Sequence, residues 1–265
     1  MKAKVLILYG YGINCDNEMQ YAFELAGADA ERVHINQLIT NERNLKDYHI
    51  LALPGGFSFG DDIGAGKVLA TKFKYNLQEP LQQFIAAGKL VIGICNGFQV
   101  MVKLGILPGM DDDYRSQQVT LTFNESGRFE DRWVYLDMLP SKCVFTQGIE
   151  RIYLPVRHGE GKFIPRDDGV LQKLYKNRQV VAKYVDPAGN QNPPFPWNPN
   201  GSVDSIAAIC DGTGRIFGMM PHPEAHLFPT NNPSWTRVKA TNNSLPQDGM
   251  GLQVFKNAVK YLKNS

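Results

Sequence analysis

The sequence predicts an α/β fold in which a mostly parallel sheet is covered by helices on both faces and extended by appended antiparallel strands, all in one domain spanning 1–265. Three observations carry this. Apolar runs of strand length alternate with helical patterns through the first half, the runs end at glycine, proline or asparagine, and from about residue 118 the apolar period changes to two. The run at 4–9 reads as the first strand. A helix from Asp16 to Leu25 follows and is ended by Gly27, and a second run at 32–39 reads as the next strand. The third, His49 to Leu53, stops at Pro54-Gly55-Gly56, and helical patterns over 66–75 and 79–87 lead to a fourth, Lys89 to Ile94. Repeated strand, helix, strand implies right-handed crossovers and hence parallel pairing. Val119–Phe123 and Trp133–Leu136 alternate, as antiparallel strands added to the main sheet do. The rest of the second half reads as irregular. Its stretches 186–202 and 227–248 are rich in Pro, Asn and Gly and too long for plain connections, which marks functional excursions or partner-binding loops. A last amphipathic helix runs from Leu252 to Leu262, with Val254, Phe255, Ala258, Val259 and Leu262 on one stripe.

Composition excludes several classes of function. Among 265 residues, 28 Lys and Arg stand against 26 Asp and Glu, with no block of like charges, so no footprint for nucleic acid or an anionic membrane is present. The longest apolar runs, such as Val5 to Leu8 and Leu90 to Ile94, fall far short of a membrane span, and the N-terminal run lacks the length and cleavage site of a secretory signal. The four cysteines, Cys15, Cys95, Cys143 and Cys210, show no paired spacing, which fits free thiols in a reducing, cytoplasmic compartment. The expected partners are small molecules and other proteins.

The segment Lys89-Leu-Val-Ile-Gly93-Ile-Cys95-Asn96-Gly97-Phe-Gln99 carries the strongest chemical signal. Small residues two before and two after Cys95 let a strand turn sharply into a helix, a nucleophile elbow with sulfur in place of oxygen. The helix N-terminus favours the thiolate, and the Asn96 amide points toward an oxyanion formed on an attacked carbonyl. The plain alternative is a buried cysteine between packing glycines. Further on, Pro221 and Pro223 hold Met220-Pro-His222-Pro-Glu224 extended, which places His222 and Glu224 on one side. A thiol needs a base and an imidazole needs a carboxylate to set its tautomer; Cys95, His222 and Glu224 supply the three roles. His222, Glu224 and His226 share that face too and form an alternative zinc set, although the outer two on one strand would stand about 13 Å apart. Gly55 and Gly56, at the end of the third strand, allow backbone amides close to a ligand, as the other half of an oxyanion hole requires. Gly64-Ala-Gly66-Lys67-Val68 lacks the first glycine and the Ser or Thr of a phosphate-binding loop.

Gly-Ile-Cys-Asn-Gly-Phe-Gln with a late Pro-His-Pro-Glu resembles the class I (triad-type) glutamine amidotransferases. Asn14-Cys15-Asp16, Gly-Gly-Phe-Ser-Phe-Gly-Asp, Asn124-x-Ser126-x-Arg128-Phe129 and Asn198-Pro-Asn-Gly-Ser202 are similar, within that class, to the glutaminase components of phosphoribosylformylglycinamidine synthases, the PurQ type. The resemblance runs from residue 3 to about 260. It implies a flavodoxin-like fold, a Cys95–His222–Glu224 triad, an oxyanion hole from the Gly55, Gly56 and Asn96 amides, and glutamine binding by Gln99, Asn124, Ser126 and Phe129, with no metal. It further implies L-glutamine as substrate, a PurL-type synthetase partner that holds ATP and Mg2+ and receives ammonia, and a small PurS-type subunit; no cofactor is expected on this chain itself. Cys15 matches a motif but has no base nearby in sequence, and reads as structural. Rival readings are a PfpI-type Cys-His peptidase sharing the elbow and a catalytically silent module that senses glutamine. Glycine peptides flip at little steric cost, so the Gly55–Gly56 loop is the expected switch if the site is completed only when a synthetase docks.

Overall fold

Strands covered on both faces have to be apolar on both sides. In the computed structural model of the chain, which describes residues 2–264, β1 (Lys4–Tyr9) buries all but its ends, and β3 (Ile50–Leu53) and β4 (Leu90–Ile94) are buried throughout. The main sheet has the order β2 (Asp29–His34), β1, β3, β4, β11 (Ile216–Met219), β10 (Ile206–Cys210), β9 (Val180–Val185), β6 (Glu130–Met138), β7 (Arg151–His158). The five strands from β2 to β11 pair in parallel. The other four continue the sheet antiparallel.

From β1 the chain crosses through α1 (Asp16–Leu25) to β2 on one side, then returns to β3 on the other and crosses through α3 (Lys67–Asn76) and α4 (Gln78–Ala86) to β4. Right-handed crossovers in opposite directions put these helices on opposite faces. The last helix, α8 (Leu252–Asn264), closes on α1: the rings of Phe23 and Phe255 meet edge-on at 5.0 Å, and Leu252, Val254, Phe255, Ala258 and Val259 are buried.

Four expectations need correction. The second run is a strand only to His34, after which α2 (Ile35–Ile39) begins; the His34 ring accepts the Asn36 amide at 3.2 Å and Gln37 accepts the His34 amide at 3.0 Å, a capping arrangement that overrides the β-branched composition. Val119–Thr122 (β5) is not part of the main sheet but pairs with β8 (Lys162–Pro165) in a separate two-stranded ribbon. The second half is not irregular throughout, because apolar runs such as Val180–Val185 and Ile206–Cys210 are fully buried strands between polar loops. Within 227–248 lies a helix, α7 (Trp235–Asn242), that buries none of its residues. Among the described residues no helix is long and apolar enough to cross a membrane.

Candidate active site

β1, β3, β4 and β11 are consecutive and parallel, so the loops leaving their carboxyl ends open on one crevice, at the point where the chain reverses direction across the sheet. Cys95 follows β4 directly and is held at φ 50°, ψ −106°, a conformation a non-glycine residue adopts only under constraint. The constraint is packing: a side chain on Gly97 would overlap the Leu53 carbonyl, and one on Gly93 would overlap Met101 and the Gly97 backbone. The Cys95 amide donates to the Met219 carbonyl at 2.8 Å. The Asn96 amide is the first of α5 (Asn96–Leu104) and so has no acceptor within that helix. Cys95 itself is 4% exposed, with Sγ 3.5 Å from the Arg157 carbonyl oxygen.

His222 stands just beyond β11, its amide donating to the Pro155 carbonyl at 2.9 Å. Nδ1 donates to Glu224 Oε1 at 2.6 Å, which leaves Nε2 to face the sulfur side; Nε2 and Glu224 Oε2 are buried without hydrogen-bond partners. Burial pushes the His222 pKa down, but the Glu224 carboxylate, helped by the Cys95 and Cys15 thiols, outweighs it and holds the imidazole well above its ordinary value. The segment is not straight. Residues Pro223–Ala225 form a 3₁₀ turn that folds Glu224 back on its own histidine, and His226 points elsewhere, with Nδ1 donating to the Tyr153 carbonyl at 2.8 Å and its ring edge-on to Trp133. The His222, Glu224 and His226 zinc set is therefore not assembled.

The Gly55–Gly56 loop reaches the crevice from β3. Its Gly55 carbonyl accepts the Asn14 amide at 3.4 Å and the Cys15 amide at 3.2 Å, so a flip of that peptide would break both bonds. Gly56 has φ 142°, and a side chain there would press on the backbone of residues 12–14 at 2.7–2.8 Å. Asn96 ties this loop to the elbow: Oδ1 accepts the Ser58 amide at 3.2 Å, and Nδ2 donates to Asp61 at 3.1 Å and to Gln99 Oε1 at 3.0 Å.

The residues expected to bind glutamine are spread over two layers. Gln99 is buried and its Nε2 donates to the Glu160 carbonyl at 2.6 Å, so with Asn96 both ends of its amide have protein partners. Asn124 uses all four of its hydrogen-bonding positions internally: Oδ1 serves His158 Nδ1 at 3.0 Å and the Gly161 amide at 2.9 Å, and Nδ2 serves the Arg128 and His158 carbonyls at 2.8 and 2.7 Å. Ser126 donates to Glu130 at 2.9 Å. Phe129 is 52% exposed, its ring 6.1 Å from that of Phe57.

Three residues with a place in this site are given no role in it by the sequence reading. His158 is buried, its Nε2 without a partner, and burial together with the charge of His222 pushes it down to about 3. Asn200, from the loop that reads as an excursion, is fully buried and donates to the Gly161 carbonyl at 2.8 Å, buttressing the turn beside His158. Cys15 lies beside the base after all: its sulfur, a His222 nitrogen and a Glu224 oxygen lie within 4.8 Å of one another. The Asn-Pro-Asn-Gly-Ser and Asn-Cys-Asp motifs were the available signals for the last two.

The sequence profile of the CobB/CobQ-like glutamine amidotransferase domain matches residues 2–262. The chain is 49% identical to phosphoribosylformylglycinamidine synthase subunit PurQ of Dehalococcoides mccartyi, over 99% of this chain and 98% of that one. It is 46% identical to the subunit of the same name from Methanococcus maripaludis, over 97% of each. Among solved structures, a chain of PurLQS from Thermotoga maritima superposes with a TM-score of 0.73 at 28% identity, covering 99% of this chain and 100% of that one.

Proposed function

The chain belongs to the CobB/CobQ-like glutamine amidotransferase domain family and to the PurQ group within it, and from that premise we propose that it is the glutaminase subunit of a phosphoribosylformylglycinamidine synthase. In this reading it hydrolyses L-glutamine to glutamate and ammonia and passes the ammonia to a PurL-type synthetase, which converts formylglycinamide ribonucleotide to formylglycinamidine ribonucleotide in de novo purine synthesis. A small PurS-type subunit completes the assembly. Relatives named as PurQ and a structural neighbour taken from a PurLQS assembly support the partners. ATP and Mg2+ act on the synthetase, and the complex works in the cytoplasm.

The observation that carries the chemistry is the strained Cys95 at a helix N-terminus together with a His222–Glu224 pair closed at 2.6 Å. The Cys95 thiolate attacks the side-chain amide carbonyl of glutamine, and the oxygen that becomes negative is met by the Asn96 amide and the Gly55–Gly56 loop, each donor contributing about 10²–10³ in rate. His222, its Nδ1 proton held on Glu224, gives a proton from Nε2 to the departing nitrogen, and ammonia leaves. A γ-glutamyl thioester remains on Cys95. His222 then takes a proton from water as it attacks, and glutamate is released. Gln99, Asn124, Ser126 and Phe129 are the residues proposed to hold glutamine, with Gln99 and Asn124 fixing the 158–161 turn through the Glu160 and His158 carbonyls and the Gly161 amide. The test is glutamate release by the chain alone and by the complex with synthetase and nucleotide; turnover should rise on complex formation. A chain that releases no glutamate in either state refutes the proposal.

A further inference from the structure

Asn124 fixes the tautomer of a second buried histidine. Its Nδ2 donates to the Arg128 and His158 carbonyls at 2.8 and 2.7 Å, so the amide can be turned only one way and Oδ1 is the acceptor. That oxygen takes the Gly161 amide at 2.9 Å and lies 3.0 Å from His158 Nδ1, which therefore carries the ring proton. Nε2 of His158 is left as a bare lone pair, buried and without a partner. The ring cannot turn to find one: a side chain on Gly161 would stand 2.5 Å from its Cε1 and Nδ1 and 2.8 Å from Asn200 Nδ2, so ring, turn and Asn200 are packed together. A buried acceptor held open in this way is costly unless something brings a donor to it.

The backbone around His158 forms a wall of the crevice. The Pro155 carbonyl holds the His222 amide at 2.9 Å, the Glu160 carbonyl holds Gln99 Nε2 at 2.6 Å, and the Arg157 carbonyl oxygen is 3.5 Å from Cys95 Sγ. The peptide that touches the sulfur is the one that leads into His158, which puts its Cα within about 6–7 Å of Sγ. We propose that His158 Nε2 accepts a hydrogen bond from the side-chain amide nitrogen of glutamine and is a catalytic residue for the departure of ammonia. The proposal deepens the glutaminase reading and rests on it. As Cys95 attacks, the amide nitrogen loses its conjugation and has to turn its lone pair toward the proton on His222 Nε2. An acceptor for one of its N–H bonds fixes that rotation, and the contact is worth most in the transition state. The C–N bond then breaks with the proton supplied by His222. His158 takes no proton, because burial and the charge of His222 keep it neutral, so the product leaves as ammonia.

The test compares kcat/KM for glutamine with that for L-glutamic acid γ-methyl ester, which acylates the same sulfur but has no N–H on its leaving group. Both are measured on the synthetase complex. His158→Asn keeps a donor for Asn124 and lacks the acceptor at the Nε2 position, whereas His158→Gln keeps an acceptor there. We expect His158→Asn to lower kcat/KM for glutamine by about tenfold and leave the ester unchanged, and His158→Gln to restore most of the glutamine rate. Reading both substrates on one preparation cancels any unfolded fraction. An equal loss on glutamine and ester, the result of a purely structural role or of a bond to the α-ammonium instead, overturns the proposal. A wild-type complex that hydrolyses neither substrate refutes the glutaminase reading itself.

Discussion

Replacing Gly55 by alanine tests the crevice with a single methyl. The new carbon would stand 2.7 Å from His222 Cε1 and 3.4 Å from both Cys95 Cβ and Cys15 Sγ. The latter two are ordinary contacts. The first is not, and the imidazole has to retreat by about 0.7 Å, when a misplacement of about 1 Å in a reacting group costs about 10² in rate. His222 cannot retreat freely, because Glu224 holds Nδ1 at 2.6 Å and the Pro155 carbonyl holds its amide at 2.9 Å. We therefore expect Gly55→Ala to lower kcat for glutamine hydrolysis in the synthetase complex by roughly 30- to 100-fold, and to cost about 1–3 kcal/mol as an overpacked site. Steady-state glutamate release and urea unfolding measure the two effects. Wild-type turnover in a folded Gly55→Ala chain would refute the placement of His222 against this loop.

Other expectations follow from the same geometry. His222→Ala should lower glutamine turnover by about 10²–10⁴, whereas His226→Ala should keep most of it and lose about 1–3 kcal/mol of stability, because the Tyr153 carbonyl is left unpaired; equal losses of turnover would contradict the separation of the two histidines. His158 is neutral when folded, pushed down to about 3 from an ordinary 6.5, while the unfolded chain protonates it below the ordinary value. Its contribution is thus intact above about pH 6.5 and is lost as the pH falls from there toward about 3, at roughly 1.4 kcal/mol per unit. The difference in unfolding free energy between wild type and His158→Gln, followed from pH 8 to 4, should shrink below pH 6.5, and a constant difference would remove His158 from the acid limb.

The sequence made the elbow legible because its requirements are local. Gly93, Cys95 and Gly97 lie within five residues of one another, and each glycine answers a contact within the turn or with the neighbouring strand. The His222–Glu224 pair was legible for a related reason, although its contact comes from a 3₁₀ turn rather than from a shared strand face. The place of Cys15 beside His222 was not legible because its neighbours are set by strand order: β1 beside β3 brings residue 15 to residue 55, and the run β3, β4, β11 brings residue 222 to both. The same holds for His158 and Asn200, whose partnership runs through Gly161 and Asn124 across long sequence separations. The strands of the second half were obscured for the opposite reason, since fully buried runs such as Ile206–Cys210 carry no alternation and stand between loops dense in proline and asparagine. α7 carries no apolar stripe that would have announced it.

The central claim is that Cys95 carries the acyl group of glutamine. Acid quenching of the complex during turnover, followed by peptide mass spectrometry, tests it directly, because a thioester survives acid while hydrolysis stops. The account predicts a γ-glutamyl adduct on the peptide that holds Cys95 and its absence in Cys95→Ala. An adduct on Cys15, Cys143 or Cys210, or sustained glutamate release by Cys95→Ala, would contradict it.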